Sequence, residues 1–310
     1  MENILTVTVN PAIDTSSSVQ QVVANKKLRC SLPVHEPGGG GINVSRAAAI
    51  MGGKSDALFT AGGWNGQRLK HLLEKENLNN HPVDIHEPTR ENFMIVEQSS
   101  GRQFRFGMPG PIINEEELER FLQKYEQIAP QGGYVVASGS LAPGLPVDFY
   151  ARVAEISRKT ASRLILDTSG KALHLGAKAG VYMLKPNRTE LKDLTGEEAM
   201  DEPHQENLGR KLIEEGKCEV LIISLGAGGV LMVSKKDSLR LRAPAVHIKS
   251  RVGAGDSMVA GVVFSLAQGK PLEDALRYGV AAGTAAVMTS GTQLCRREDV
   301  EEIYRQLKYS

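Results

Sequence analysis

Short apolar runs rich in β-branched residues alternate with helix-periodic stretches along most of this chain, and that alternation admits few folds. Apolar runs at residues 4–9, 56–59, 134–137, 163–167, 182–185 and 220–224 interleave with helical patterns at 44–51, 66–76, 115–128, 148–160 and 205–215. Strands separated by helices pair in parallel through crossovers, and the helices cover both faces of the sheet. The expectation is an α/β protein whose strand ends gather along one edge, where ligands bind. A prior of roughly 150 residues per domain would allow two domains. No repeat, low-complexity tract or long linker divides the 310 residues, so 1–310 reads as a single domain.

Two stretches, about 15–36 and 89–108, break the rhythm with mixed polar and apolar residues. In the second, Phe93-Met94-Ile95-Val96 and Gln103-Phe104-Arg105-Phe106 flank the turn residues Ser99-Ser100-Gly101-Arg102, a hairpin signal. Together they predict a small sheet projecting from the main body as a lid. Phe93, Ile95, Phe104 and Phe106 alternate along it and give it one apolar face. A small sheet needs that face covered, and pairing with a second copy of the chain through a two-fold contact would do so.

Charge removes several classes of partner. Thirty-seven basic against 36 acidic residues leave +1, too little for a general nucleic-acid or membrane-surface binder, so an anionic ligand must be held locally. Cys30, Cys218 and Cys295 are too few and scattered for a disulfide framework or a zinc site, and an odd count suits a reducing compartment, the cytoplasm. The first residues lack a basic n-region and an apolar h-region, and no run of about 20 apolar residues occurs; export and membrane spanning are not expected.

Glycine loops supply the local anion sites. The segment PGGGGINVSRA at 37–47 lets backbone approach a ligand closely and places Asn43 to bond sugar hydroxyls; a flexible turn is the plainer reading. SLGAGGV at 224–230 follows an apolar strand and could cover a nucleotide or simply turn a hairpin. RVGAGDSM at 251–258 opens an apolar helix whose first-turn amides, at Gly253, Ala254, Gly255 and Asp256, converge where an anion fits; Asp256 alone could be an ordinary first-turn carboxylate. A P-loop is rejected, because the glycine leading Gly53-Lys54-Ser55 would fall at Ala48 and the triplet ends a helix. The dinucleotide fingerprint fails at Met258 and Leu231.

Charged residues cluster at the same edge. Asp14 and Asp167 follow strand ends, and Lys185-Pro186-Asn187-Arg188-Thr189-Glu190 follows a third. Each has a bland reading, as a turn cap or a solvated charge. Lys27, Arg29, Arg90 and Arg105 lie in the inserted β-stretches, where guanidinium groups suit a second phosphate but edge strands also carry cations against aggregation.

PGGGGINVSRA, KPNRTE, SLGAGGV and above all VGAGDSMVAG resemble the ribokinase-like sugar kinases, the PfkB family, over nearly the whole chain. The resemblance implies a three-layer α/β/α sandwich with a mostly parallel central sheet and a β-sheet lid. Asn10-Pro11-Ala12-Ile13-Asp14, Lys27-Leu28-Arg29-Cys30 and Glu36-Pro37 before four glycines point to the branch acting on fructose 6-phosphate. Tagatose-6-phosphate kinases and 1-phosphofructokinases, the alternative, usually carry lysine where this chain has Gly40. The implied reaction moves the γ-phosphoryl group of ATP to O1 of fructose 6-phosphate. Asp256 would be the base, and Gly253, Ala254 and Gly255 would offer amides to the transferred group. At a helix N-terminus that carboxylate is expected to be a weak base. Asp14, Gly39, Asn43 and Ser140 would bind sugar hydroxyls, while Lys27, Arg29, Arg90 and Arg105 would surround the 6-phosphate. ATP would meet Lys185, Asn187 and the loop Ser224, Leu225, Gly226, Ala227, Gly228 and Gly229, with Glu190 placing Mg²⁺ largely through water. A potassium-like ion would sit at Ser250, Val252, Ala286, Thr289 and Gly291. A non-catalytic phosphosugar sensor on the same fold would have lost the base, and Asp256 is present.

Overall fold

The computed structural model describes residues 1–308. In chain order the first half comprises β1 (Ile4–Thr8), β2 (Ala12–Val19), β3 (Val34–Gly38), α1 (Gly40–Ile50), β4 (Asp56–Gly62), α2 (Gly63–Lys75), β5 (Asn79–Ile85), β6 (Arg90–Glu97), β7 (Gln103–Phe106), α3 (Glu115–Ile128), β8 (Tyr134–Ser138) and α4 (Phe149–Lys159). The second half comprises β9 (Arg163–Asp167), α5 (Gly170–Ala179), β10 (Val181–Leu184), α6 (Arg188–Thr195), α7 (Glu202–Glu214), β11 (Cys218–Ser224), β12 (Val230–Ser234), β13 (Ser238–Leu241), α8 (Ala254–Ala267), α9 (Leu272–Val287) and α10 (Arg297–Lys308).

Nine strands form the main sheet in the order β13-β12-β11-β10-β9-β8-β1-β4-β5. From β5 to β11 all neighbours are parallel. The last two are antiparallel, because the connection from β11 to β12 is a tight turn at 225–229, too short for the crossover that a parallel partner needs. The pleat sends successive residues to opposite faces. Leu5, Val7, Val135, Leu164 and Leu221 enter one core with Phe121 and Tyr125 of α3. Ile4, Val136, Ile165 and Ile222 enter the other with α8 and α9. The result is the expected ribokinase-like three-layer sandwich. Every residue of α8 from Ser257 to Ala267 is buried, and small residues let it cross α9 closely, with Gly261 against Gly279.

Helix starts follow local chemistry. α3 begins at its expected residue because Asn114 and Glu117 form a reciprocal capping box. α1 begins at Gly40, four residues before the expected onset at 44, since a glycine run carries no helical periodicity to read. Its cap, Gly39, has φ 120°, in the region that favours glycine.

A second sheet has the order β3-β2-β6-β7. β2 pairs antiparallel with β3 and parallel with β6, and β6 and β7 form the hairpin, with Phe93 opposite Phe106 and Ile95 opposite Phe104. The register aligns Asp14 with Asn92 and Met94 with Arg105 on one face. Thr15, Phe93, Ile95, Phe104 and Phe106 fall on the other, where Phe93 and Phe106 are 38% and 50% exposed.

The glycine run is packed as tightly as it is turned. A Cβ on Gly41 would stand 2.8 Å from the Val7 carbonyl oxygen and 2.5 Å from Thr8 Oγ1, both on a central strand that cannot give way. Overpacking of about 1–3 kcal/mol outweighs the ~0.5–1 kcal/mol helix gain of alanine over glycine. Gly41→Ala is therefore expected to lower the urea unfolding midpoint; an unchanged or raised midpoint would contradict this packing.

Candidate active site

The parallel strands bring their C-terminal ends, and the loops that follow them, to one edge of the sheet. Two helices also begin there, α1 and α8, and neither has a side-chain cap. Asn43, in the first turns of α1, donates from Nδ2 to Asp256 Oδ2 at 2.9 Å, which joins the two helix starts. Gly253 caps α8 with φ 72°. Its carbonyl takes the first helical bond, from Ser257 N, which leaves the amides of Ala254, Gly255 and Asp256 without an intrahelical partner. The arrangement is an anion site with a carboxylate beside it.

Lys185 follows β10 and Asp167 ends β9; their side chains meet at 3.0 Å, both largely buried. Burial lowers the Lys185 ammonium, but Asp167, with Glu190 and Asp256 behind it, outweighs burial and holds it above its ordinary value. The ammonium lies 3.7 Å from where a Cβ on Gly255 would stand, so an anion on the helix amides also meets this cation. Asp256 departs from the expected weak base. Burial, reinforced by the nearby Asp167 carboxylate, pushes it up to about 6 against the opposing pull of Asn43 and Lys185. The helix start favours the anion, but desolvation and a like charge win.

Facing this pair across a cleft is the inner face of the second sheet. Asp14, Asn92, Met94 and Arg105 line it, with Val252 and Thr292 from the main body. Asp14 accepts from Asn92 Nδ2 at 2.9 Å and packs on Gly38, where a Cβ would stand 2.4 Å from its Oδ2. Arg90 is tied to the backbone, donating to Asn10 O at 2.9 Å and Met108 O at 3.2 Å. Burial lowers its guanidinium, with Asp14 opposing. Arg105 is exposed on β7. Ser140 accepts from Asn10 Nδ2 at 3.3 Å. Lys27 and Arg29 are not in the cleft: both are exposed in the β2–β3 connection, beyond the pairing of Ser18 with Ser31. At about 3.3 Å per residue, that pairing is already more than 10 Å along the strand from Asp14.

On the other flank, Asn187 and Glu190 cap α6 reciprocally, at 2.8 and 2.9 Å, and Asn187 bridges to Ser224. The Ser224–Gly229 loop is both of its readings, the strand-end loop and the turn of the β11–β12 hairpin, with Gly226 to Gly228 in one 3₁₀ turn. Burial raises Glu190, against the Asn187 amide and Lys185. Three carboxylates, Asp167, Glu190 and Asp256, thus share one ammonium, an all-oxygen, net-negative surrounding that suits magnesium. No three metal-binding side chains converge among the described residues, so such an ion would be held mostly through water and phosphate. The residues read as a monovalent-cation site fall in two bonded groups: Ser250 Oγ donates to Gly291 O at 2.7 Å and accepts from Val252 N, while Thr289 Oγ1 donates to Ala286 O at 2.8 Å. Their backbone carbonyls are hard donors fit for an alkali ion.

Asn92 escaped the sequence reading, and Asn10 entered it only within a motif, without its bond to Ser140. Asn92 is 78 residues from the carboxylate it holds, and no local pattern marks it. A cavity of about 740 Å³ lies at the opposite edge among the starts of β9, β10 and β11. α4, α5 and α7 point their C-termini that way, and their carbonyl dipoles disfavour phosphate.

Residues 7–299 match the pfkB family carbohydrate kinases. The chain is 42% identical to the ATP-dependent 6-phosphofructokinase isozyme 2 of Mycobacterium tuberculosis, over 97% of this chain and 88% of that one. It is 38% identical to the Escherichia coli enzyme of the same name over 99% of both chains, and 32% identical to the 1-phosphofructokinase of Bacillus subtilis over 98% of both. Crystal structures of Escherichia coli phosphofructokinase-2 superpose with a TM-score of 0.96 in complex with potassium and 0.94 in complex with fructose-6-phosphate, each covering 99% of this chain and 100% of that one, at 38% and 37% identity.

The raised Asp256 has a consequence for stability. Between its ordinary 3.8 and about 6 the native state binds more protons than the unfolded chain, so stability falls as pH rises through that interval. Asp256→Asn removes the charge and keeps an acceptor for Asn43. It is expected to melt above the wild type at neutral pH and to converge with it below about pH 4; a difference independent of pH would contradict the raised value.

Proposed function

The chain belongs to the pfkB family of carbohydrate kinases, and we infer that it transfers the γ-phosphoryl group of ATP to O1 of fructose 6-phosphate, giving fructose 1,6-bisphosphate. One observation carries the reading: the Asp256 carboxylate, held by Asn43, stands at an open helix N-terminus, opposite a sheet that presents Asp14 and Arg105. Gly40, where 1-phosphofructokinases usually carry lysine, supports the 6-phosphate branch. A Cβ on Gly40 would fall 2.2 Å from Ser138 Oγ and 3.0 Å from the Ser138 backbone, so a side chain there would have to displace the Ser138 hydroxyl.

Asp256 accepts the O1 proton as the oxygen attacks, and at neutral pH it is ionised yet basic enough to do so. The amides of Gly253, Ala254 and Gly255 meet the charge on the transferred group, and Lys185 steadies the phosphates. Asp14, Gly39, Asn43 and Ser140 take the sugar hydroxyls. Arg90 and Arg105 take the 6-phosphate. Asn187 and the Ser224–Gly229 loop cover the nucleotide. When bound beside Glu190, Mg²⁺ neutralises phosphate charge; a monovalent ion at the 250–252 and 286–291 segments would stiffen the loop preceding the catalytic helix.

The second sheet acts as a lid on a single-domain body, and its outer face forms a homodimer. Phe93, Ile95, Phe104 and Phe106 on that face, with Phe106 at 50% exposure, are an uncovered apolar surface that a second copy buries by a two-fold contact. Lys27 and Arg29, outside their own cleft, then extend toward the partner's sugar phosphate. No helix among the described residues is long and apolar enough to cross a membrane; with ATP as co-substrate and three unpaired cysteines, the cytoplasm is the compartment that fits.

A coupled assay of ADP release across fructose 6-phosphate, fructose 1-phosphate, tagatose 6-phosphate and fructose tests the substrate, with fructose 6-phosphate expected to lead. Preference for fructose 1-phosphate would overturn it. Asp256→Asn is expected to lose about 10²–10⁴-fold in turnover with ATP binding intact, and near-normal turnover would remove Asp256 from its role. Sedimentation on enzyme dilution is expected to show a dimer whose activity falls as it dissociates, and Phe104→Glu to be monomeric; a fully active monomer would reduce the sheet to a lid alone.

A further inference from the structure

We propose that Glu36 and Thr292 form a positioning latch that registers the lid, and with it the bound sugar, against the catalytic helix. Thr292 Oγ1 donates to Glu36 Oε2, a bond between residues 256 apart in sequence. Both side chains are largely shielded, Thr292 at 9% exposure and Glu36 at 16%. Glu36 is the cross-strand partner of Asp14 in the β2–β3 ladder, so whatever fixes Glu36 fixes the strand pair that presents Asp14 to the cleft. Its other charged neighbour does not compete for it. Arg46 gives its Nε and one amino nitrogen to Glu76 at 2.8–3.0 Å and its other amino nitrogen to Pro37 O, and it stands 3.7 Å from Glu36.

From Thr292 the bonding runs straight to the reacting end. Gly291 O accepts from Ser250 Oγ at 2.7 Å; Ser250 Oγ in turn accepts from Val252 N at 3.2 Å; Gly253, the cap of α8, comes next. The path therefore joins the sugar-side carboxylate, Asp14, to the helix that carries Asp256 through hydrogen bonds and one turn of chain. A second contact pins the far strand, Gln103 Nε2 donating to Lys249 O at 3.2 Å, but it is exposed and weaker. Without the Thr292 hydroxyl the lid still holds a sugar phosphate by its own residues. It loses its register with the base.

This inference rests on the kinase reading above, and its signature is in kcat. Misplacement by about an ångström costs on the order of 10²-fold in rate while leaving ground-state binding largely in place. Thr292→Val, which keeps the volume and removes the hydroxyl, is expected to lower kcat by about that factor, with KM for ATP and for the sugar phosphate within about twofold of wild type. Thr292→Ser restores the donor and most of kcat. Glu36→Gln keeps an acceptor oxygen and most of kcat, whereas Glu36→Leu matches Thr292→Val, and the double variant Glu36→Leu/Thr292→Val is no worse than either alone, the mark of a shared interaction. Rates are taken per folded molecule, by circular dichroism at the assay temperature. Wild-type kcat in Thr292→Val, failure of serine to restore it, or losses that multiply in the double variant would each overturn the latch. The ratio of variant to wild type is read on whichever sugar phosphate the wild type turns over, so a wrong substrate and a wrong latch give different results.

Discussion

The close approach of residues 38–41 to β1, β2 and β8 is the constraint on which the site depends. At Gly38, Gly40 and Gly41 a Cβ would stand within 3 Å of Asp14, Ser138, and Val7 with Thr8, respectively. That contact ends β3 and starts α1 in the space of two residues, and it aims the start of α1 at the start of α8. Asn43 then reaches Asp256. Had the turn stood off by the width of a methyl group, the two helix starts would have separated and the lid strand would have left the body. Glycine here serves proximity more than flexibility.

Electrostatics then sets what the gathered groups can do. Four acids, Asp14, Asp167, Glu190 and Asp256, act on a region where Lys185 is the buried cation. Lys185 pairs most closely with Asp167, and that choice leaves Asp256 both desolvated and beside a negative neighbour. The acid at the start of α8 is thereby raised to about 6, while burial also raises Glu190 on the flank. The nucleotide flank is built differently: Asn187 and Glu190 also cap α6 reciprocally, which holds the backbone there in place.

The sequence was most legible where a local cause sufficed. α3 and β9 have their expected bounds because a capping box and a bounded apolar run need no distant partner. The motif at 251–258 was readable for the same reason, since a helix start presents its amides whatever lies around it. The onset of α1 was hidden because glycine carries no periodicity. The basicity of Asp256 was misjudged because the helix start is visible in sequence, whereas burial and the approach of Asp167 are tertiary. Asn92, Thr292 and the tip location of Lys27 and Arg29 share that property. Asn92 is placed by a strand register and Thr292 by a side-chain bond, each joining segments far apart in the chain, and Lys27 and Arg29 by the reach of the β2–β3 connection.

One such register has a temporal meaning. The central pair of the second sheet, β2 with β6, joins residues 12–19 to 90–97, and between them the chain builds β3, α1, β4, α2 and β5. Closing so long a loop costs entropy that only a formed body can offset, and non-local parallel pairing is slow for that reason. β2 can meet β3 early, through the connection at 20–33, but its other edge stays open until the chain has reached β6. In folding, as along the chain, the floor of the cleft precedes its roof, and a nascent chain that has not yet delivered residue 97 has no place to hold a sugar phosphate.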